Sequence, residues 1–158
     1  MKKKLVGLFV ALFAAFLIIA TGPQTVGAKD RANDNIAWQY TTPKAMKKIL
    51  LNKDKQSYQV VDIQPTADYK KGHLPNSLSL HAYPVDTKQL ENLVTKSAAK
   101  IKKGANPIYV VCPGGGSGAK RTVSILIDKG VKAKRLHIVQ NGAKGWPYKD
   151  NSKLWVTN

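Results

Sequence analysis

The sequence predicts a three-layer α/β domain around a mainly parallel sheet, and three observations carry that prediction. Short runs rich in β-branched residues, YQVVDI at 58–63, IYVV at 108–111 and LHIV at 136–139, suit strands covered on both faces. Between them lie segments whose apolar residues recur at helical spacing. At 107–131 a strand then runs into a glycine loop that opens a helix, so strands and helices alternate with crossovers.

The elements follow in order. Lys2, Lys3 and Lys4 precede an uncharged apolar run from Leu5 to Ala20, and small residues lead to Ala28. This basic, apolar and small-residue order is that of a secretory signal over 1–28, cleaved after Ala28. The run is short for a membrane span, so no stable anchor is expected after cleavage, and no cysteine follows it to take a lipid. The chain is expected to be exported, to a periplasm or to the cell exterior. Residues 29–35 read as a flexible polar leader, and the domain as 36–158. Ile36–Tyr40 can form a first strand. Thr42 and Pro43 suit an N-cap and first helical position, with Ala45, Met46, Ile49 and Leu50 on one apolar face.

After the strand at 58–63, residues 65–71 hold one helical turn before Gly72, and Leu78–Leu80 reads as a brief strand. Asp86 and Gln89 resemble a capping pair for the longest helix. Its stripe of Leu90, Leu93, Val94, Ala98 and Ile101 reads as core. Gly104 and Pro107 close that helix and open the strand delivering Cys112. Beyond the glycine loop, Ala119, Val123, Leu126, Ile127 and Val131 keep helical spacing, with Gly130 as a stop. After the strand at 136–139 comes a glycine-punctuated turn, and Trp146 and Trp155 are expected to anchor the C-terminal segment.

Composition narrows the function. Twenty-six Lys and Arg against nine Asp and Glu give a formal charge of +17, which falls to +14 without the three signal lysines. Such a balance favours anionic partners. The lysines are scattered along the chain, with no zinc-finger spacing, RNP-like aromatic motif or helix-turn-helix, so nucleic acid is not an expected partner. His73, His81 and His137 are dispersed and form no metal-ligand pattern; neither metal nor cofactor is expected. The single cysteine, Cys112, cannot form an internal disulfide, which in an exported chain makes it either well buried or chemically employed. It stands at the carboxyl end of a strand, where α/β sheets bind ligands, followed by CPGGGSGAKR and a helix start that presents unpaired N–H groups. Asp62 ends the neighbouring strand.

These residues resemble a known family. VVDI at 60–63 followed by DYKKGHLP at 68–75 is similar to the first signature of rhodanese domains. IYVVC at 108–112 with its glycine loop, and NGAKGW at 141–146, resemble the second and third, in the family's order. The resemblance implies a five-stranded, mostly parallel sheet. It implies sulfurtransferase chemistry, with Cys112 as the catalytic nucleophile that carries sulfane sulfur as a persulfide. The donor would be a small anionic compound such as thiosulfate or a polysulfide, and the acceptor a thiol or other thiophile. Gly114, Gly115, Gly116, Ser117 and Gly118 would cradle the sulfur, and Lys120 and Arg121 would add charge for the substrate. Asp62 and His73 would serve as scaffold near the site.

The chain also departs from the family pattern. Pro113 and Ser117 stand where active relatives commonly place loop arginines, Gln64 replaces the arginine after the strand-end aspartate, and Asn76 and Asn141 replace usual glycines. Ser117 is expected to cap the helix in preference to binding an anion. Phosphatases and arsenate reductases that share the fold need an arginine six residues after the cysteine; here that position is Gly118. The remaining alternative is a binding or sulfur-delivery module with little turnover.

Overall fold

A computed structural model describes residues 30–157, so the expected signal segment 1–28 lies outside the described residues. The chain forms β1 (Tyr40–Thr41), α1 (Pro43–Leu50), β2 (Gln59–Asp62), α2 (Thr66–Lys71), β3 (Ser77–Ser79), α3 (Lys88–Lys102), β4 (Ile108–Val111), α4 (Ser117–Asp128) and β5 (Leu136–Val139). All five strands pair in parallel, in the order β1-β5-β4-β2-β3. The sheet is thus parallel throughout, as β-branched runs without polar alternation require.

Side chains of the central strands alternate between two cores. Val61, Ile63, Ile108, Val110, Cys112, Leu136 and Ile138 face one side, where Val94, Ala98 and Ile101 of α3 and Ala119, Val123 and Leu126 of α4 cover them. Val60, Tyr109, Val111 and Val139 face the other, under Met46 and Leu50 of α1 and the C-terminal residues Trp146 and Leu154. This is the predicted three-layer arrangement, and Trp146 and Trp155 pack where the C-terminal segment was expected to be held.

Four local expectations change. The first strand is only Tyr40–Thr41, because a parallel edge strand needs pairing and β5 offers partners only at Ile138 and Val139. Asp86 and Gln89 do not cap α3; the Thr87 side chain accepts from Leu90 N at 3.3 Å. Leu93 leaves the core stripe and is 39% exposed. Over 30–35, the stretch read as a flexible leader is tied down. Arg31 bridges Glu91 of α3 (Nε–Oε1 3.1 Å) and Asp128 of α4 (Nη1–Oδ2 2.6 Å) and also donates to Ser124, which in turn donates to Asp34. An arginine fork that reaches two helices at once turns a polar segment into a strap.

Candidate active site

The strand order places the site. From β2 the chain turns through α2 to β3 on one side, and from β4 it turns through α4 to β5 on the other. The crevice between the carboxyl ends of β2 and β4 is therefore the topological switch point, where α/β sheets bind ligands. β4 is the central strand and all four of its residues are buried. Cys112 follows it directly, with its side chain toward α4 by the period-two alternation.

The loop folds back over the sulfur. Gly115 N–H donates to Cys112 Sγ at 3.1 Å, and Cys112 is 1% exposed. Gly116, at φ −110° and ψ −133°, is the N-cap of α4 and carries no side chain to occupy the helix mouth. Lys120 N makes the first intrahelical bond, to Gly116 O. The N–H groups of Ser117, Gly118 and Ala119 are consequently without intrahelical acceptors, at the positive end of a twelve-residue helix. One N–H on the sulfur and three at the helix mouth form a site for a small anion or a terminal sulfur.

A second loop braces the first. Ala143 N donates to Cys112 O at 3.0 Å, and Lys144 N to Pro113 O at 2.9 Å. Between them Gly142 sits at φ +57°, where a Cβ would lie 2.1 Å from Cys112 O and 2.6 Å from Gly115 N. Gly115, at φ +70°, is equally confined: a Cβ there would lie 2.8 Å from Val139 O and from Asn141 N. Only residues without a Cβ permit the two loops to meet this closely. Asn141 and Asn76, which replace glycines of the family pattern, adopt φ of 65° and 57°, a region asparagine tolerates better than most residues.

Asp62 is fully buried beside the site, paired in register with Val111. Its carboxylate accepts from Gln64 N at 2.8 Å and Gln64 Nε2 at 3.1 Å, and the same amide donates to Gly72 O at 3.2 Å. Burial pushes its pKa up to about 6, against the lowering effect of the two Gln64 bonds. Gln64 therefore fills the arginine position as a neutral organiser of the β2–α2 loop. His73 is scaffold too: its ring stacks on Tyr69 at 3.8 Å, Nδ1 lies 3.0 Å from Tyr69 O, and its backbone pairs with Val156 in both directions.

The remaining predicted residues are used differently from expectation. Ser117 is the first helical residue, with no side-chain cap bond, so its capping role is replaced by the backbone turn at Gly116. Arg121 does not turn to the glycine loop; Nη1 donates to Pro84 O at 3.1 Å. Lys120 places its ammonium 5.5 Å from the Trp38 ring centroid. Both cations hold neighbouring segments, which offer them a carbonyl and a π face. The residue that sequence reasoning missed is Tyr83. Its ring lies against Gly118, 2.9 Å from where a Cβ would stand, and it forms one wall of the helix mouth. The signal was available: the loop after β3 also leaves a carboxyl strand end.

The rhodanese-like domain family matches the chain over residues 42–148. No curated protein is significantly similar in sequence. Among solved structures, the rhodanese-like domain of an Anabaena sp. protein superposes with a TM-score of 0.56 at 17% identity, covering 75% of this chain and 79% of that one. The As–Sb reductase from Leishmania major gives 0.56 at 18%, covering 72% and 80%. A yeast protein tyrosine phosphatase of the rhodanese family gives 0.51 at 18%, covering 77% and 93%. At these identities the likeness is one of fold. The family match, however, spans more than half the chain and takes in the cysteine loop, and on that basis this chain belongs to the rhodanese-like domain family.

Proposed function

We propose that the chain is an exported sulfurtransferase that carries sulfane sulfur on Cys112. The observation that carries this reading is the placement of Sγ under the Gly115 N–H, at the mouth of a helix whose first three N–H groups are unpaired. In the first half-reaction the Cys112 thiolate attacks the outer sulfur of thiosulfate. A sulfur–sulfur bond forms on Cys112, the bond to the sulfonate sulfur breaks, and sulfite leaves with the electron pair. In the second, a thiophile such as cyanide attacks the terminal sulfur and the thiolate is released. No outside oxidant or reductant is needed. The helix-mouth N–H groups hold the negative charge on the persulfide.

One feature shapes the choice of donor. Without arginines in the loop, recognition of a dianion rests on backbone donors, which favours a singly charged donor such as an organic persulfide over the dianions thiosulfate and inorganic polysulfide. Export, with removal of 1–28, is part of the proposal and rests on the tripartite N-terminus. N-terminal sequencing of the processed protein tests it: a start at Lys29 supports it, and a retained Met1 sinks it.

A non-turnover delivery module is favoured by two observations, the 1% exposure of Cys112 and the diversion of Lys120 and Arg121 to structural partners. Phosphatase or arsenate-reductase chemistry lacks its oxyanion clamp, because Gly118 occupies the arginine position and Arg121 is held by Pro84. Intact mass spectrometry after exposure to thiosulfate or polysulfide separates the first two readings. A gain of about 32 Da, removed by cyanide and absent in Cys112→Ala, marks sulfur-carrier chemistry. A folded protein that no sulfane donor modifies refutes it.

A further inference from the structure

At the opposite end of the sheet, away from the cysteine loop, the C-terminal ends of α3 and α4 and the segment entering β5 enclose a cavity of about 250 Å³. Lys102, Lys132, Lys134 and Arg135 line it, with backbone from Gly104 and Gly130. No lining residue is acidic, and none of these four cations is ion-paired among the described residues.

A basic surface is usually solvated and often serves only to complement helix ends. Here the helix ends are already satisfied by other groups. Arg135, 6% exposed, donates from Nε to Asn106 O, from Nη1 to Lys102 O and from Nη2 to Lys103 O, closing the carbonyls that follow α3. The end of α4 is closed by its own backbone: Lys129, Gly130 and Val131 N–H groups return to Ile125, Ile127 and Leu126 carbonyls. The lysines are thus not consumed in capping. The Lys102 ammonium lies over Gly130, 2.8 Å from where a Cβ would stand, so a side chain there would displace it.

A guanidinium has five N–H donors, and three of Arg135's are spent on carbonyls. One N–H on each terminal nitrogen remains, on a rigidly held fork that lines the cavity beside three ammonium groups. That is the donor pattern for a tetrahedral oxyanion with more than one negative charge.

We propose that this cavity binds a phosphate-type polyanion, independently of the sulfur chemistry at Cys112. The phosphate group can belong to a free small molecule or to a lipid headgroup, since both present the same oxygens. Pyrophosphate is the probe for the first source and phosphatidic acid vesicles for the second.

The test is calorimetric titration of pyrophosphate at low salt into the mature protein and into Lys102→Gln, Lys134→Gln and the double variant. Lys44→Gln on α1 is the control, and backbone amide shifts map the site. The expected result is saturable binding that weakens about tenfold in the double variant but not in the control. Shifts should centre on Gly104 and Gly130, and binding should persist in Cys112→Ala. Vesicle binding that needs the same lysines assigns the headgroup as the source; pyrophosphate binding without vesicle binding assigns the free phosphate. Absent binding at millimolar pyrophosphate, equal affinity in the double variant, or shifts confined to the cysteine loop would each overturn the proposal. So would binding of poly-glutamate in place of pyrophosphate, which would mark an acidic-protein surface. The Lys102 and Lys134 substitutions lie at the cavity and leave Arg135 intact, and a circular dichroism melt confirms that each variant is folded.

Discussion

Gly142→Ala tests whether the two loops at the carboxyl end of the sheet form one unit. An alanine at φ +57° pays about 1–2 kcal/mol for the left-handed conformation. Its Cβ would also meet backbone, not a flexible side chain, 2.1 Å from Cys112 O and 2.8 Å from Gly114 N, so the loops must separate. Separation breaks the bonds from Ala143 N to Cys112 O and from Lys144 N to Pro113 O, worth about 1 kcal/mol each. The sum is about 3–4 kcal/mol, or a melting point lower by about 10–15 °C for a domain of this size. Gly104→Ala is the matched control: it has φ +74° but nothing within 4 Å of its Cβ, so it should cost only the conformational share, about 1 kcal/mol.

Urea denaturation gives the stabilities of the two variants, and cyanide-reversible sulfur loading reports the site. Gly142→Ala should lose stability and loading together, since Gly115 N–H, the donor to Sγ, is 2.6 Å from the new methyl. If Gly142→Ala is no less stable than Gly104→Ala, the loops are not braced as described. If it is destabilised yet loads sulfur at the wild-type rate, the brace does not position the sulfur.

Three further outcomes follow from particular residues. Asp62 keeps its proton to about pH 6 in the folded chain but loses it near 3.8 when unfolded, so the folded state binds more protons between these values and stability falls as pH rises through that window. The loss amounts to about 3 kcal/mol, complete above pH 6, and Asp62→Asn should flatten it; equal slopes from pH 4 to 7 in urea titrations of both proteins would contradict this. Thr87→Ala removes the side-chain acceptor for Leu90 N and should cost about 1 kcal/mol, whereas Asp86→Ala should cost little, which a pair of thermal melts decides. Arg31→Ala releases the strap from Glu91 and Asp128, costing about 1 kcal/mol and raising amide exchange over 30–36; unchanged exchange would show that the strap is held without it.

The parts of the fold that were legible in the sequence are those where one residue type has one physical use. β-branched runs buried on both faces gave the central strands, and β5 matches its expected bounds at Leu136–Val139. Thr42 followed by Pro43 marked the start of α1, and the Thr42 hydroxyl does accept from Ala45 N. Where two adjacent residues can serve the same purpose, sequence spacing does not decide. Asp86 and Thr87 are both good caps, and the backbone at Thr87, φ −120° and ψ 155°, selects the threonine. The polar stretch at 30–35 reads as solvated because its partners, Glu91 and Asp128, lie 60 and 97 residues away.

The same distinction governs the site. Cys112 and its glycines were legible because no other residue supplies a thiolate or lets two backbones approach this closely. Lys120 and Arg121 were not, because a long cation in the first turn of a helix reaches whatever acceptor the fold brings near. Here those acceptors are the Trp38 ring and Pro84 O, one on the strap side and one on the loop after β3. Each cation is thereby committed to a neighbouring segment, and neither brings to the helix mouth the charge that a loop arginine would. With Gln64 in place of another arginine, the crevice keeps backbone N–H donors and lacks the side-chain cations of the family pattern. Under the proposed sulfur-carrier function, a donor whose charge is concentrated on one terminal sulfur needs only those backbone donors.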